Sequence, residues 1–472
     1  MTPTLAAPLA PFADALPVPR RLVAARQNGR LSVPIRAGAH RFHRDLPESA
    51  VWGYDGMVPG PTIEAERGQP VTVQWRNELD GALPVVVTTA PEATDTSGVP
   101  VQCVPGLSGG TPDQNAAALA GHAVVHLHGG LTPASYDGWA ENLVAPGQDA
   151  FFHYPMDQRA ALLWYHDHVM GVTRFGVYTG LAGLWIIRDR RERELGLPEG
   201  PPFEVPLLIQ DRNFGLDEAG RLTGQLVHKT DPEVMEAFAP FTVVNGKVWP
   251  LLEVQPATYR LRVLNGSNAR TYRLVLLRDG EPELHRITQI GTDHGLLRTP
   301  GRVPPDGLVL ASAERADLLA DFSGLEPGSE LTLVNTAAAP FDGAPFRAAN
   351  ARNAADPGRM LPYPHVMRFR VVPGPGNPPD DPGRARHRLP PAGTRPRWPA
   401  RRAARSRSSS ANSKANPACL PCASSRSPTT TTPGLSSLSP TVSRQPATAS
   451  PPPTSRTPRH FSRSSAGMRS GS

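Results

Sequence analysis

After Asp381 the chain contains no further aspartate or glutamate, while 16 lysines and arginines run from Arg384 to Arg469. That asymmetry limits which part of the chain can build a core. The segment is rich in Pro, Ser, Arg, Thr and Ala, with runs such as Ser408-Ser409-Ser410, Thr429 to Thr432 and Pro451-Pro452-Pro453. It lacks the apolar periodicity that would bury a face. Residues 374–472 are therefore expected to form a disordered basic tail. The change is abrupt and follows a good strand pattern, Val366-Met367-Arg368-Phe369-Arg370-Val371-Val372. It falls where a further domain would begin, which suggests an out-of-frame remnant of that domain. The whole chain carries +7 and the tail +16, so residues 1–381 carry −9. A basic protein invites a nucleic-acid or membrane partner. Here the folding part is acidic, and neither partner is expected.

The remainder reads as short strands between Gly, Pro, Asn and Asp turns. Val71-Thr72-Val73-Gln74-Trp75-Arg76 alternates apolar and polar, the mark of a half-buried strand. Tyr259-Arg260-Leu261-Arg262-Val263 does the same and breaks at Asn265-Gly266. Leu181 to Ile187 is a continuous apolar run, expected to be buried on both faces, and the charged run Arg188 to Glu194 after it reads as a linker. Few segments carry helical periodicity. The expected fold class is all-β: tandem Greek-key β-sandwiches, one at 1–190 and one at 200–373. The second contains His228, His285, His294 and His365, none in a His-x-His, and is expected to be structural. No stretch approaches the ~20 apolar residues of a membrane helix. No export signal is read at the N-terminus, and the expectation is cytoplasmic. Cys103, Cys419 and Cys422 give no disulfide framework.

Chemistry concentrates in two short histidine pairs, His126-Leu127-His128 and His166-Asp167-His168. On a strand, residues i and i+2 share a face. Each pair thus offers two imidazoles side by side, and two such strands could present four. Neutral imidazole suits copper, zinc and iron. A copper that collects electrons singly is usually held by two His and a Cys thiolate. None of the three cysteines has a histidine beside it.

The wider text resembles the multicopper oxidases. Val51-Trp52-Gly53-Tyr54-Asp55-Gly56 with Pro59-Gly60-Pro61-Thr62-Ile63 is similar to the opening domain of that family, as are His126-Leu127-His128-Gly129-Gly130 and Trp164-Tyr165-His166-Asp167-His168. Leu131-Thr132-Pro133, Asn265 to Arg270 and Ile290-Gly291-Thr292-Asp293 resemble the branch holding bacterial spore-coat laccase, bilirubin oxidase and phenoxazinone synthase. The resemblance covers about 1–375. It implies three cupredoxin (plastocyanin-like) domains and a laccase-like copper oxidoreductase. Phenolic, aminophenolic or bilirubin-like substrates would be oxidised, with O2 reduced to water. It implies that His126 serves the type 2 copper, that His128 and His166 bind one type 3 copper, and that His168 binds the other. Asp137 would act beside this cluster as a proton relay. The family's remaining ligands come from a third-domain His-Pro-x-His-x-His and a His-Cys-His, and neither motif occurs in this sequence. The type 1 site is thus missing and the trinuclear set is partial. Two other readings stay open: a copper-binding cupredoxin module without turnover, and a scaffold of the same fold. The first-domain face carrying the histidines would be left exposed, so self-association through it is expected.

Overall fold

The computed structural model describes residues 9–89, 106, 111–117, 119–230, 236–343 and 364–374. All of them fall in one compact unit, Met1–Ala400. The expected tail, with Cys419 and Cys422, and the loop holding Cys103 lie outside the described residues.

Two β-sandwiches follow one another. In the first, five strands run in the order Arg21–Val23, Thr62–Glu66, Ala182–Arg188, Ala161–Asp167, Val125–His128. They face a four-stranded sheet ordered Ser49–Tyr54, Arg30–His40, Val71–Asn77, Asp149–Tyr154. The alternation read at Val71 is present: Val71, Val73 and Trp75 are buried, with half-exposed residues between them. Aromatic rings join the sheets. Trp75 lies 5.3 Å from Tyr165, and Tyr154 lies 5.0 Å from Trp185, centroid to centroid. Such tilted and edge-on pairs add about 0.5–1.5 kcal/mol each beyond area burial.

The second sandwich sets a seven-stranded sheet, centred on Glu204–Arg212, Thr258–Asn265 and Arg315–Asp321, against a sheet containing Leu251–Val254, His365–Val371, Glu330–Asn335 and Tyr272–Arg278. The two sandwiches also share strands. Val86–Thr89 of the first pairs in parallel with Leu222–Thr230 of the second. Among the described residues no helix is long and apolar enough to cross a membrane.

The run Leu181 to Ile187 is buried on both faces, as expected. Trp185 and Ile187 enter the first core, while Ala182, Leu184 and Ile186 pack with Leu162, Trp164, Leu208 and Leu264 between the sandwiches. The charged run after it departs from the linker expectation. Asp189 caps the helix Arg190–Glu194, its Oδ1 accepting from the Glu192 amide at 2.8 Å. Arg188 and Glu192 are buried in an ion network. Arg188 donates to both Glu204 oxygens, at 2.7 and 2.5 Å, and to Glu64 at 3.2 Å. Arg262 reaches Glu192 at 2.5 Å, Glu204 at 2.8 Å and Asp317 at 3.1 Å. Arg260 clamps Asp317 at 2.8 and 2.6 Å, and Arg21 pairs with Glu64 from the rim. Four guanidinium groups thus meet four carboxylates, so no net charge is left inside.

This network also corrects the reading of Tyr259 to Val263 as half-buried. The strand Thr258–Asn265 is buried on both faces, because Arg260 and Arg262 point into ions rather than into water.

Candidate metal centre

The strands Val125–His128 and Ala161–Asp167 are antiparallel neighbours, with His166 opposite His126 and Trp164 opposite His128. Directly paired residues on one face hold their Cβ atoms about 4.5–5.5 Å apart. Register alone therefore gathers three imidazoles and one indole on one face. Nitrogen atoms of His126, His128 and His166 all lie within 4.8 Å of one another. His168 follows just past the strand end, where its amide donates to the Val124 carbonyl at 2.8 Å, and its ring stands 4.8 Å from that of His126. The structure thus brings together all four histidines expected from the sequence.

Hydrogen bonding fixes which nitrogen each ring offers. His126 Nδ1 lies 2.6 Å from the Asp137 carbonyl, His168 Nδ1 3.0 Å from the Gly138 carbonyl, and His166 Nδ1 2.8 Å from the Asp167 carbonyl. A carbonyl only accepts, so each Nδ1 carries the proton and each Nε2 keeps a lone pair. His128 is turned the other way, with Nδ1 3.3 Å from His166 Nε2. Two imidazole nitrogens on one ion at ~2.0–2.1 Å stand roughly 2.9–3.4 Å apart. The His128–His166 spacing already suits a shared ion, and the set fits copper. Binding would need only that the His128 proton move to its own Nε2.

The support comes from a tight loop after the short 3-10 turn Ala134–Tyr136. Gly138 has φ +75°, and a Cβ there would stand 2.2 Å from the Val125 carbonyl oxygen. Only glycine lets the loop lie on the strand, and that contact presents the Asp137 and Gly138 carbonyls to two histidines. The Asp137 carboxylate is 3.5 Å from His126 Nδ1 and partly exposed. Its backbone oxygen, a contact the sequence did not suggest, makes the shorter bond. Trp164 underlies two of the rings: its centroid is 5.2 Å from His128, stacked, and 4.1 Å from His166.

Asp167 points to the opposite face, as its strand position requires. It is buried and accepts from the Val124 amide at 3.2 Å. Burial raises its pKa to about 7. Burial lowers His128 to about 4, helped by the nearby Arg315 guanidinium, and holds His166 well below its usual value. Both rings are neutral at pH 7, the form that binds metal. His122 and His153 lie apart from the set, His153 bonding to Thr72 Oγ1 at 3.1 Å. In the second sandwich His228 is buried between the rings of Phe175 and Tyr178.

A β-sandwich presenting four converging imidazoles is a cupredoxin-type fold with a candidate metal site. Comparison with known proteins narrows the class. A family model described as multicopper oxidase matches residues 38–99 and 114–192. The laccase of Bacillus subtilis (strain 168) is 38% identical over 385 residues, covering 76% of this chain and 65% of that protein. A bilirubin oxidase of Albifimbria verrucaria is 30% identical, covering 65% of this chain and 46% of that protein. The crystal structure of the McoA multicopper oxidase of Aquifex aeolicus superposes with a TM-score of 0.56 at 26% identity, covering 76% and 65% of the two chains. Residues 38–99 and 114–192 thus match the multicopper oxidase family model, and the chain is similar to laccases and other multicopper oxidases over about three quarters of its length. It spans slightly under two thirds of the length of the Bacillus subtilis laccase.

Proposed function

We propose that this is a laccase-like copper oxidase chain whose histidine face takes part in a trinuclear copper site. In this reading His126 serves the type 2 copper, His128 and His166 one type 3 copper, and His168 the other. The observation that carries it is the convergence of the four rings, three with Nδ1 tied to a carbonyl and Nε2 left as a ligand. Copper held there would pass electrons from a small aromatic reductant to O2. Asp137, 3.5 Å from His126, would supply or accept protons at that edge of the site. Phenols, aminophenols or bilirubin-like molecules are the substrate class.

One observation favours a narrower second reading, a copper-binding module that does not turn over by itself. No cysteine in the sequence neighbours a histidine, and the His-Cys-His that wires an entry copper to the cluster is not in it. The four histidines supply one of two type 2 ligands and three of the six on the type 3 pair. The test is oxygen uptake by the copper-loaded full chain with an aminophenol, together with its visible spectrum. The module reading predicts no intense thiolate-to-copper band and no sustained uptake. Uptake coupled to substrate oxidation would overturn it and leave the oxidase reading standing for the chain alone.

A further inference from the structure

The second sandwich reaches the histidine face through one buried side chain. Arg315 opens the strand Arg315–Asp321, and its guanidinium crosses to the first sandwich. Nε donates to the Leu162 carbonyl at 3.3 Å, on the strand that carries Trp164 and His166. Nη1 donates to the Ala313 carbonyl at 2.8 Å and pairs with Asp293 Oδ1 at 3.0 Å, and Nη2 donates to the Asp293 carbonyl at 3.1 Å. The far side of the guanidinium lies against Gly129, the residue after His128. A Cβ at Gly129 would stand 2.6 Å from Nη2, and Gly129 has φ +85°. Asp293 is itself anchored, its Oδ1 accepting from the Arg315 amide at 2.7 Å. Its turn is pressed on the first sandwich, since a Cβ at Gly295 would meet the Ala160 carbonyl oxygen at 2.3 Å.

Each nitrogen of this fork has a partner, and one carboxylate balances it. Arginine suits the task because its planar group can bridge several carbonyls at once and stays charged. The charge itself is a hazard beside a cation site. A lone guanidinium there would repel a divalent ion, and a lone carboxylate would attract one.

We propose that Arg315 and Asp293 form a charge-balanced pair that sets the electrostatics of the histidine face. Arg315 ties the second sandwich to the backbone at Leu162 and Gly129, and Asp293 cancels its charge where copper binds. This rests on the copper reading above. It makes a prediction of sign that a merely structural pair does not. Removing the carboxylate weakens Cu(II) binding, removing the guanidinium strengthens it, and removing both restores it.

The experiment measures Cu(II) affinity of the full chain by chelator competition at low ionic strength, where such charges are least screened. The variants are Asp293→Asn, Arg315→Met, the double variant and Arg315→Lys, each also melted without metal. Asp293→Asn is expected to bind about tenfold more weakly, and Arg315→Met about three- to tenfold tighter. The double variant and Arg315→Lys should fall within about twofold of the parent, although all four melt earlier. Arg315→Lys keeps the charge and loses the fork, so it separates electrostatics from folding. If both single charge removals weaken copper equally, or neither moves it, the inference is overturned while the copper site stands. If the parent binds no copper, both the site reading and the inference fall.

Discussion

Replacing Gly138 by alanine is the smallest change that separates the histidine face from its support. The added Cβ would lie 2.2 Å from the Val125 carbonyl oxygen and 3.0 Å from His126 Cα, both backbone atoms that cannot rotate away. Relief requires a shift of roughly 1 Å, and overpacking of that kind costs about 1–3 kcal/mol. The left-handed φ of +75° adds its own penalty, about 1–2 kcal/mol for a residue with a Cβ. The sum is about 2–5 kcal/mol. Gly147 isolates the second part, with φ +79° and nothing within 4 Å of its would-be Cβ. Gly147→Ala should therefore destabilise by only about 1–2 kcal/mol. Urea unfolding of both variants measures the difference directly. Moving the loop also withdraws the carbonyls that orient His126 and His168, so copper affinity should fall in Gly138→Ala and hold in Gly147→Ala. Equal stability losses in the two variants would refute the close-packing argument, and unchanged copper affinity in Gly138→Ala would refute the orienting role of the loop.

Glu204→Gln should destabilise the chain by about 3–5 kcal/mol in urea unfolding, because it strips a carboxylate shared by buried Arg188 and Arg262; a loss under about 1 kcal/mol would contradict that account. Acid should also unfold the chain through its buried histidines. His128, His228 and His365 sit near pKa 4 when folded, against an ordinary value of 6.5. Their neutral forms contribute full stability above about 6.5, and it is lost as pH falls towards 4, at up to about 1.4 kcal/mol per pH unit for each ring. Asp167 acts with the opposite sign, its raised pKa reducing stability as pH rises from 3.8 towards 7. Unfolding free energies measured from pH 4 to 7 should rise, and a flat profile would contradict the histidine terms. Finally, Leu131, Trp139, Leu143 and Met170 are exposed on the loops beside the histidines. Light scattering should show self-association that Trp139→Ser with Met170→Ser reduces, and a parent that stays monomeric at high concentration would count against it.

Much of this was legible in the sequence, for identifiable reasons. The strand at Val71 and the buried run at Leu181 announce themselves by local pattern, because one strand's burial follows its own alternation. The histidine pairs were legible for the same reason: two-residue spacing sets a shared face without reference to anything distant. What was not legible depends on partners far away in the chain. Arg260 and Arg262 look like the solvated side of a half-buried strand until Glu192, Glu204 and Asp317 are brought to them. Arg315 gives no local sign that it will touch Gly129. The pairing of Val86–Thr89 with Leu222–Thr230 also joins segments that the sequence assigned to separate domains. Asp137 shows a subtler limit. Its residue type suggested carboxylate chemistry, while the shorter contact to His126 comes from a backbone oxygen that any residue would supply.

The central claim is that copper is held by rings from both histidine strands. Calorimetric titration of Cu(II) into the parent chain and into a His128→Ala, His166→Ala double variant tests it most directly, since their facing nitrogens lie 3.3 Å apart. The parent should bind measurably, Cu(II) more tightly than Zn(II), and the double variant should lose at least about tenfold with its fold intact by circular dichroism. A double variant that binds Cu(II) as tightly as the parent would contradict the claim and move the metal away from these strands.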